Sequence, residues 1–525
     1  MKKQTRTSTN TPHPFVARHQ ADVIGVLQGW DRLRLQGTLR SLYHPPIMEY
    51  YLACFKVLFK DFKTFALRLS TRICAATQQL VERAGRPLLH LHTDKISKEK
   101  MARDIAQRDG ITEGLIIVIS AVEGCRSYII ARDEHSERPA FKLVQRKCLH
   151  YYFYWQHEEV GFCHLRLQTW VPFQVQICLN GREWLARAMD REGIAYRREG
   201  NCFPWIEDVE RAQTLMNEQH RTDWKRLCRG LLKRSHPLGQ ELSRPLRDGY
   251  YWTAVESEYA TDVMFKNRAA LQRIYPTLVH HATMSFGSEQ VLRFMDRAVQ
   301  NLGGADIVET DRRRTADGVR VKSWLRNNSV KFYDKGSVLR SEVTINEPGV
   351  FRVWRASERS PQGAKKRREL RRGVADLYPR AQLSRKASER QLEALASVHV
   401  RRKLSQDVAP ICRPRRTKGR RHRALQPFGA DARLLSMINR SEFVIDGFRN
   451  RDLRTRFYGL VSVGSKQRRQ TAAITRKLQL LRAHGVIRKI QGTHRYQVTR
   501  KGRILLTALQ AASDASTEAL TSLAA

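Results

Sequence analysis

A tyrosine, a lysine and a glutamate that could act on a phosphate lie close together in the segment VKFYDKGSVLRSEVTIN (330–346). Tyr333 and Lys335 precede a glycine-serine pair, and Glu342 follows it. A tyrosine hydroxyl can act as a nucleophile, and a glutamate carboxylate can hold a divalent cation through its oxygen atoms. The segment therefore provides three candidate catalytic residues, Tyr333, Lys335 and Glu342.

Two further sets of residues are candidate metal ligands. His90 and His92 are two residues apart, so in a strand their imidazoles would project from the same face. This His-hydrophobe-His pattern resembles the metal-binding motif of rolling-circle nucleases, but it also arises by chance in a chain with 17 histidines. The second set resembles the carboxylate trio of transposases, which binds two metal ions for phosphoryl transfer. It consists of Asp31, either Glu258 or Asp262, and Glu342.

The segment 330–346 has the pattern of a β-hairpin. Two β-type runs, Val330–Tyr333 and Val338–Ile345, flank the turn sequence Asp-Lys-Gly-Ser. Its Tyr-Asp-Lys and Leu-Arg-x-Glu motifs resemble a hairpin of plasmid and phage replication initiators, over fewer than twenty residues. The resemblance implies that Tyr333 or Lys335 lies near the scissile phosphate and that Glu342 binds a metal. An ordinary hairpin with cross-strand charge pairs is the alternative, and the sequence slightly favours it.

The elements that must position these residues form a mixed α+β body. The stretch Ile47–Ala84 has a helical pattern, and a further helix is predicted at Ser97–Arg108. Short β-type runs follow from residue 87 to residue 179, and strands return across Ile307–Trp354. Strand runs that follow one another in this way predict a mainly antiparallel sheet.

The charge balance points to a polyanionic partner. The chain has 525 residues with 95 Lys and Arg against 51 Asp and Glu, a formal charge of +44. Such an excess suits the phosphates of a nucleic acid. A membrane span is not expected, because no run approaches 18 apolar residues. Nine scattered cysteines without a C-x-x-C pair suit a reducing, cytoplasmic compartment, and P-loop, nucleophile-elbow and dinucleotide-binding motifs are absent.

The C-terminal region has the order of a winged helix. Three helices are predicted at Asp431–Arg440, Asn450–Gly459 and Lys466–His484, followed by two short β runs and a helix from Arg500. The sequence ITRKLQLLRAHGVIRKIQGTHRYQVTRKGR resembles the recognition helix and wing of MarR- and ArsR-like regulators, over roughly 80 residues. That resemblance implies binding to double-stranded DNA. Between residues 465 and 503 there are twelve Lys and Arg and no Asp or Glu.

Two groups of residues are the candidate DNA contacts. Those on the predicted recognition helix and wing are Lys466, Arg468, Arg469, Gln470, Thr471, Thr475, Arg476, Gln479, His494 and Arg495. Those on a basic segment upstream, predicted to follow the DNA backbone as a linker or arm, are Arg413, Arg415, Arg416, Lys418, Arg420 and Arg421.

These patterns predict an α+β multidomain protein with a helical and antiparallel-sheet body. The predicted parts are a disordered basic arm (1–20), an N-terminal α+β domain (21–240), a central strand-rich α+β domain (241–360), a basic linker (361–428), a winged helix-turn-helix domain (429–512) and a flexible tail (513–525). The body also resembles an uncharacterised bacterial family associated with mobile elements.

The leading functional hypothesis is site-selective binding of double-stranded DNA for a mobile or replicating element. A nicking or strand-transfer activity using Mg²⁺ or Mn²⁺ would fit it, although the sequence establishes no cofactor. Two alternatives remain open: a non-catalytic winged-helix transcriptional regulator, and a component that binds structured RNA. The oligomeric state also stays open.

Overall fold

A computed structural model describes most of the chain and divides it into two compact units. The larger unit comprises residues 20–271 and 327–388, and the smaller comprises residues 1–19, 272–326 and 389–525. The described residues are 13–93, 95–132, 137–246, 249–297, 308–315, 318–357, 360, 363–396, 404–417, 419–440, 443, 447–459, 464–490 and 493–518. The predicted domain bounds were contiguous, whereas each unit combines separated segments.

The larger unit is built on one mixed sheet, with strands numbered β1 to β19 in chain order. Its strands run in the spatial order β12–β13–β9–β1–β6–β5–β4–β3–β2, and only the β2–β3 pair among them is parallel. Their bounds are β1 Val23–Thr38, β2 Leu88–Leu91, β3 Gly114–Arg132, β4 Pro139–His157, β5 Gly161–Gln168, β6 Val175–Asn180, β9 Tyr251–Phe265, β12 Asn328–Lys335 and β13 Val338–Ile345.

The structure confirms the predicted mixed α+β class and the antiparallel hairpin β12–β13. Two strands central to the site, β1 and β9, were not predicted. Strand β1 contains three glycines and several charged residues, and β9 has the polar sequence ESEYATD, so neither shows clean apolar alternation. Both strands are nevertheless half-covered or buried along most of their length because neighbouring strands flank them on each side.

Helices cover this sheet. The core between them includes Trp30, Leu35, Phe153, Ile177 and Tyr259. The α-helices of this unit are Pro45–Cys54, Phe62–Arg83, Lys98–Arg108, Gly181–Glu192, Val209–Glu218, Trp224–Ser235, Gly239–Ser243 and Arg268–Gln272, and helix Leu377–Ala396 begins in it. Single 3-10 turns lie at Arg40–Tyr43, Phe59–Asp61, Gln219–Arg221, Pro348–Val350 and Val374–Asp376.

Two small hairpins complete the larger unit. Strands β7 (Tyr196–Glu199) and β8 (Cys202–Ile206) form one, and strands β14 (Arg352–Arg355) and β15 (Lys366–Glu369) form the other. The second hairpin and helix Leu377–Ala396 lie largely in the segment predicted as a basic linker. That prediction is wrong here, because apolar residues at helical spacing, such as Leu377, Ala381 and Leu392, are buried.

The smaller unit contains the N-terminal helix and the C-terminal elements. Helix Pro14–Arg18 has a buried Phe15, so the predicted disordered arm is wrong for residues 14–18; residues 1–12 lie outside the described ones. Helices Tyr275–Ser285 and Ser288–Phe294 are followed by the hairpin of β10 (Val308–Thr315) and β11 (Gly318–Leu325).

The C-terminal elements share one hydrophobic core. Their helices are Leu404–Val408, Ala432–Ile438, Asn450–Tyr458, Ser465–Ala483 and Arg500–Asp514. Their strands pair as β16 (Arg415–Thr417) with β17 (Arg420–His422), and β18 (Ile487–Lys489) with β19 (Tyr496–Val498). Ile411 and Leu425 belong to this core, so residues 404–428 are not the predicted linker or arm. Among the described residues, none of the helices combines the length and apolar character needed to span a bilayer.

Candidate metal centre and basic surface

Three carboxylates converge on the sheet of the larger unit. Asp31 lies on β1, Glu258 on β9 and Glu342 on β13, and these three strands are neighbours. One oxygen atom from each carboxylate lies within 4.8 Å of the others, which is suitable spacing for a shared metal ion. We call these three residues the carboxylate cluster. The structure thus brings together one of the trios that the sequence suggested.

A bulge in β1 aims Asp31 into this cluster. Trp30 pairs with Tyr259 and Arg32 pairs with Glu258, so Asp31 is an extra residue on β1 between two consecutive pairs. A bulge redirects a side chain relative to regular alternation. Gly181 assists, because a Cβ atom there would lie 2.2 Å from the carbonyl oxygen of Trp30. Only glycine lets helix Gly181–Glu192 begin this close to β1.

The cluster concentrates negative charge away from water. Asp31 is 5% exposed and Glu342 is 2% exposed. Burial, together with the charges of Glu342 and Asp31, raises the pKa of Glu258 to about 7. Burial also raises the pKa of Asp31, although the Arg340 charge opposes the rise. Like charges held together in a poorly solvated place are unfavourable unless a cation neutralises them.

Protein cations neutralise only part of this charge. The Lys331 Nζ lies 2.6 Å from Glu342 Oε1, and the Arg340 Nη1 lies 3.3 Å from Asp31 Oδ2. Glu258 is more weakly paired, since its Oε2 is 4.0 Å from the Arg32 Nε. Glu258 is also the most accessible of the three carboxylates. A cation from solvent would therefore be stabilised most on the Glu258 side of the cluster.

Neutral donors hold the other carboxylate oxygens. The Tyr333 hydroxyl donates a 2.9 Å hydrogen bond to Glu342 Oε2. The Asn201 side-chain amide donates to Asp31 Oδ1. Burial and the neighbouring Glu342 charge raise the pKa of Tyr333. A tyrosine in this state is a hydrogen-bond donor at neutral pH, and it becomes a nucleophile only if the adjacent negative charge is neutralised.

Asp262, the alternative third carboxylate, has a different role. Arg340 donates to both of its oxygens, at 2.6 Å from Nε and 2.9 Å from Nη2, and Arg182 Nη2 lies 3.0 Å away. Burial alone would raise the pKa of Asp262, but the charges of Arg340 and Arg182 lower it. Asp262 is thus an ionised partner for two buried arginines, and Arg340 joins it to Asp31.

The other predicted catalytic and metal residues are dispersed. Lys335 lies at the turn end of β12, in register with Val338, and a different lysine, Lys331, contacts Glu342. The rings of His90 and His92 are 4.4 Å apart, and His90 Nδ1 is 2.9 Å from Ser120 Oγ. Among the described residues, no third potential ligand joins these histidines.

Sequence reasoning missed Lys331, Asn201 and Arg182 as members of the site. The signal for Lys331 was present, because it faces Glu342 across the predicted hairpin. No local signal identified Asn201 or Arg182, which reach the site through tertiary contacts with strands β1 and β9.

The predicted recognition helix presents a basic surface on the smaller unit. Helix Ser465–Ala483 buries Ile474, Leu478 and Leu481, as its periodicity predicted. Of the predicted contact residues, the exposed ones are Lys466, Arg468, Arg469, Arg476 and Gln479, and the half-buried ones are Gln470, Thr471 and Thr475. On the β18–β19 side, His494 is exposed and Arg495 is half-buried.

A groove of about 610 Å³ runs along this helix, and three of its lining residues, Arg454, Gln467 and Ala472, were not among the predicted contacts. Its lining residues are Arg454, Gln467, Arg468, Thr471, Ala472, Thr475 and Arg476. Two predicted base contacts have structural roles there. The Thr471 hydroxyl accepts a 3.0 Å hydrogen bond from Arg454, and the Thr475 hydroxyl accepts a 2.9 Å bond from the Asn450 side chain. Both threonines thus help to hold helix Asn450–Tyr458 against the basic helix.

The upstream basic residues belong to an ordered hairpin. Arg415 and Arg416 lie on β16, and Arg420 and Arg421 lie on β17; all four are exposed, as is Arg413. Lys418 lies outside the described residues. These cations are therefore displayed on a short turn packed beside the C-terminal core.

Comparisons with protein-family models, with curated proteins and with solved structures gave no match.

Proposed function

We propose that this protein is a DNA-binding enzyme that cuts or transfers phosphodiester bonds with a divalent metal ion held by the carboxylate cluster. One observation is the main support. Asp31, Glu258 and Glu342 are more than 80 residues apart along the chain, yet their oxygens lie within 4.8 Å. The chain carries a formal charge of +44, yet three acidic side chains gather here and none of them is bound bidentately by an arginine. This arrangement favours a site for an added cation.

The cluster suits a hard metal ion. Oxygen ligands from carboxylates are preferred by Mg²⁺ and Mn²⁺. When bound, such an ion polarises a phosphoryl oxygen and activates the attacking oxygen. In the reaction proposed, a hydroxyl or water oxygen loses its proton to solvent and forms a bond to phosphorus, the bond from phosphorus to the leaving oxygen breaks, and the leaving oxygen takes up a proton from solvent. Lys331 would hold Glu342 in position throughout, and Tyr333 would do so where it is not itself the nucleophile.

The C-terminal elements supply the DNA-binding half of this proposal. Helices 432–438, 450–458 and 465–483, the β18–β19 hairpin and helix 500–514 have the order of a winged helix-turn-helix. Exposed Lys466, Arg468, Arg469 and Arg476 on the longest helix suit the phosphates of double-stranded DNA. We propose that this module binds the duplex and that the body acts on it, in the service of a mobile or replicating element.

Cleavage of labelled DNA tests this function. The full chain is incubated with single- and double-stranded DNA and Mg²⁺ or Mn²⁺, and nicks, covalent adducts and gel shifts are resolved together. We expect metal-dependent cleavage that Glu342→Gln and Glu258→Gln abolish. Glu256→Gln is the matched control, because Glu256 lies on the same strand but pairs with Arg34 at 3.0 Å outside the cluster. Cleavage that persists in both cluster variants contradicts the proposal.

Tyr333→Phe separates two forms of the chemistry. Loss of a covalent adduct in this variant indicates a tyrosine nucleophile, as in replication initiators. Cleavage with unchanged products and a modest loss of rate indicates that Tyr333 only orients Glu342, through the 2.9 Å hydrogen bond.

A non-catalytic regulator is the second candidate, because the basic groove needs no chemistry in the body to bind DNA. It predicts a gel shift without cleavage that is abolished by deleting residues 429–525. Tight binding of structured RNA that survives this deletion would instead favour an RNA-binding component.

A further inference from the structure

Hairpin β14–β15 displays a tryptophan to solvent. Trp354 is 68% exposed, the highest value among the large hydrophobic residues that the structure describes as exposed. It faces Arg367 across the hairpin, and Arg352 lies two residues earlier on the same strand. Val353, on the opposite face of the strand, is buried. The hairpin thus packs through one face and presents the indole on the other.

The surroundings of Trp354 are strongly basic. Between residues 352 and 372 there are nine Lys and Arg against two Glu. Arg352, Lys366 and Arg367 are exposed, and no ion pair is found for Arg352 or Lys366 among the described residues. An exposed indole flanked by cations offers a flat face for stacking together with charges for phosphates.

The hairpin is held firmly by contacts beneath it. The buried Asp376 carboxylate accepts a 2.8 Å hydrogen bond from Arg371 and lies 3.6 Å from Arg355. The Leu370 amide donates to the Phe351 carbonyl at 2.9 Å, and the Ala254 amide donates to the Arg372 carbonyl at 2.7 Å. The last bond ties the hairpin to β9, the strand that also contains Glu258. A fixed platform loses little entropy when a ligand stacks on it.

We propose that Trp354, with Arg352, Lys366 and Arg367, binds single-stranded DNA by stacking one unpaired base on the indole. Single strands fit because every base has a π-face that is open when unpaired, whereas a duplex hides its bases between neighbours. The cations around the indole favour a polyanion such as DNA over a protein surface that has few acidic residues. The inference rests on the proposed function and names its substrate: the body engages an unpaired strand while the C-terminal module engages duplex.

Binding of labelled oligonucleotides to the full chain tests this inference. Fluorescence anisotropy is measured with a 20-nucleotide oligo-dT, a 20-base-pair duplex and a 20-nucleotide oligo-U. We expect Trp354→Ala to weaken oligo-dT binding about ten-fold and duplex binding less than two-fold, because stacking is worth roughly 1–3 kcal/mol per base. Trp354→Phe retains an aromatic face, so we expect it to stay within about three-fold of the unmodified protein.

The matched control is Tyr50→Ala. Tyr50 is an aromatic residue of the same unit that is 59% exposed beside Glu49 rather than among cations. Its removal should leave oligo-dT binding unchanged. An equal loss in both alanine variants, an equal loss for duplex and single strand, or no binding of oligo-dT by the unmodified protein overturns the proposal. A loss confined to oligo-U overturns the assignment to DNA.

The same samples separate this inference from the proposed function. Mn²⁺ binding is measured by calorimetry on the Trp354→Ala variant and on the unmodified chain. Unchanged Mn²⁺ binding with weakened oligo-dT binding supports both proposals. If Trp354→Ala weakens oligo-dT binding but the unmodified chain binds no Mn²⁺, the stacking site is supported and the proposed metal chemistry is contradicted.

Discussion

Replacing Asp262 by asparagine should destabilise the larger unit strongly while leaving its shape nearly unchanged. Asp262 is 1% exposed and neutralises two buried arginines, Arg340 and Arg182. The amide would leave both guanidinium groups with a single nearby carboxylate, Asp31, which is 3.3 Å from Arg340. Removing one partner of a buried ion pair costs about 3–5 kcal/mol, because the remaining charge stays desolvated. We expect a loss of that size in the free energy of unfolding.

Urea denaturation followed by tryptophan fluorescence measures this loss. Eight of the nine tryptophans lie in the larger unit, so the signal reports its unfolding. Glu256→Gln is the control: it removes a carboxylate from the same strand, but the Arg34 partner is 41% exposed in its side chain, and we expect a loss of about 1 kcal/mol or less.

A double variant checks the cause. Combining Asp262→Asn with Arg340→Met removes one of the stranded charges, so the two losses should be less than additive by about 1–3 kcal/mol. Equal losses for Asp262→Asn and Glu256→Gln, or strict additivity in the double variant, would refute the reasoning that Asp262 compensates buried arginines.

Three further predictions follow from other parts of the structure. Burial lowers the pKa of His236 to about 3, so its contribution to stability is fully present above the unfolded pKa near 6.5, where the imidazole is neutral. As the pH falls to about 4, roughly 3 kcal/mol of this stability is lost. His236→Phe should therefore flatten the pH dependence of the free energy of unfolding measured in urea. Gly181→Ala should both destabilise the unit and weaken Mn²⁺ binding, because its Cβ would collide with the Trp30 carbonyl, whereas Gly230→Ala, in an open helical position, should stabilise by up to about 1 kcal/mol. Arg454→Ala should weaken duplex binding and reduce the salt slope by about one, while Arg211→Ala, which removes a partner of Glu192, should change neither.

The sequence predicted elements with strong local patterns. Hairpin β12–β13 was predicted from alternation around a Gly-containing turn, and helix Ser465–Ala483 from apolar residues at helical spacing. In each case, the residues that form the pattern lie within a few positions of one another along the chain. The same is true of the buried stripe Ile474, Leu478 and Leu481, which the structure confirms.

The sequence left the choice between Glu258 and Asp262 open. Glu258 and Asp262 are four residues apart on one strand, and only the tertiary position of Arg340 and Arg182 assigns Asp262 to an ion-pair network. The orientation of the Asp31 side chain depends on a bulge that exists only because β1 pairs with β9, which lies more than 200 residues away along the chain. Composition also misled: residues 404–428 are basic, yet Ile411 and Leu425 of that segment are buried in the C-terminal core.

Titration of Mn²⁺ into the metal-stripped full chain, followed by calorimetry, tests most directly whether the carboxylate cluster is a metal centre. We expect saturable binding that weakens at least ten-fold in Asp31→Asn, Glu258→Gln and Glu342→Gln, because each removes one of three convergent oxygen ligands. Glu256→Gln should bind like the unmodified chain. Mn²⁺ binding that is absent, or that all three cluster variants retain, contradicts the assignment and leaves Asp31, Glu258 and Glu342 as a buried charge network.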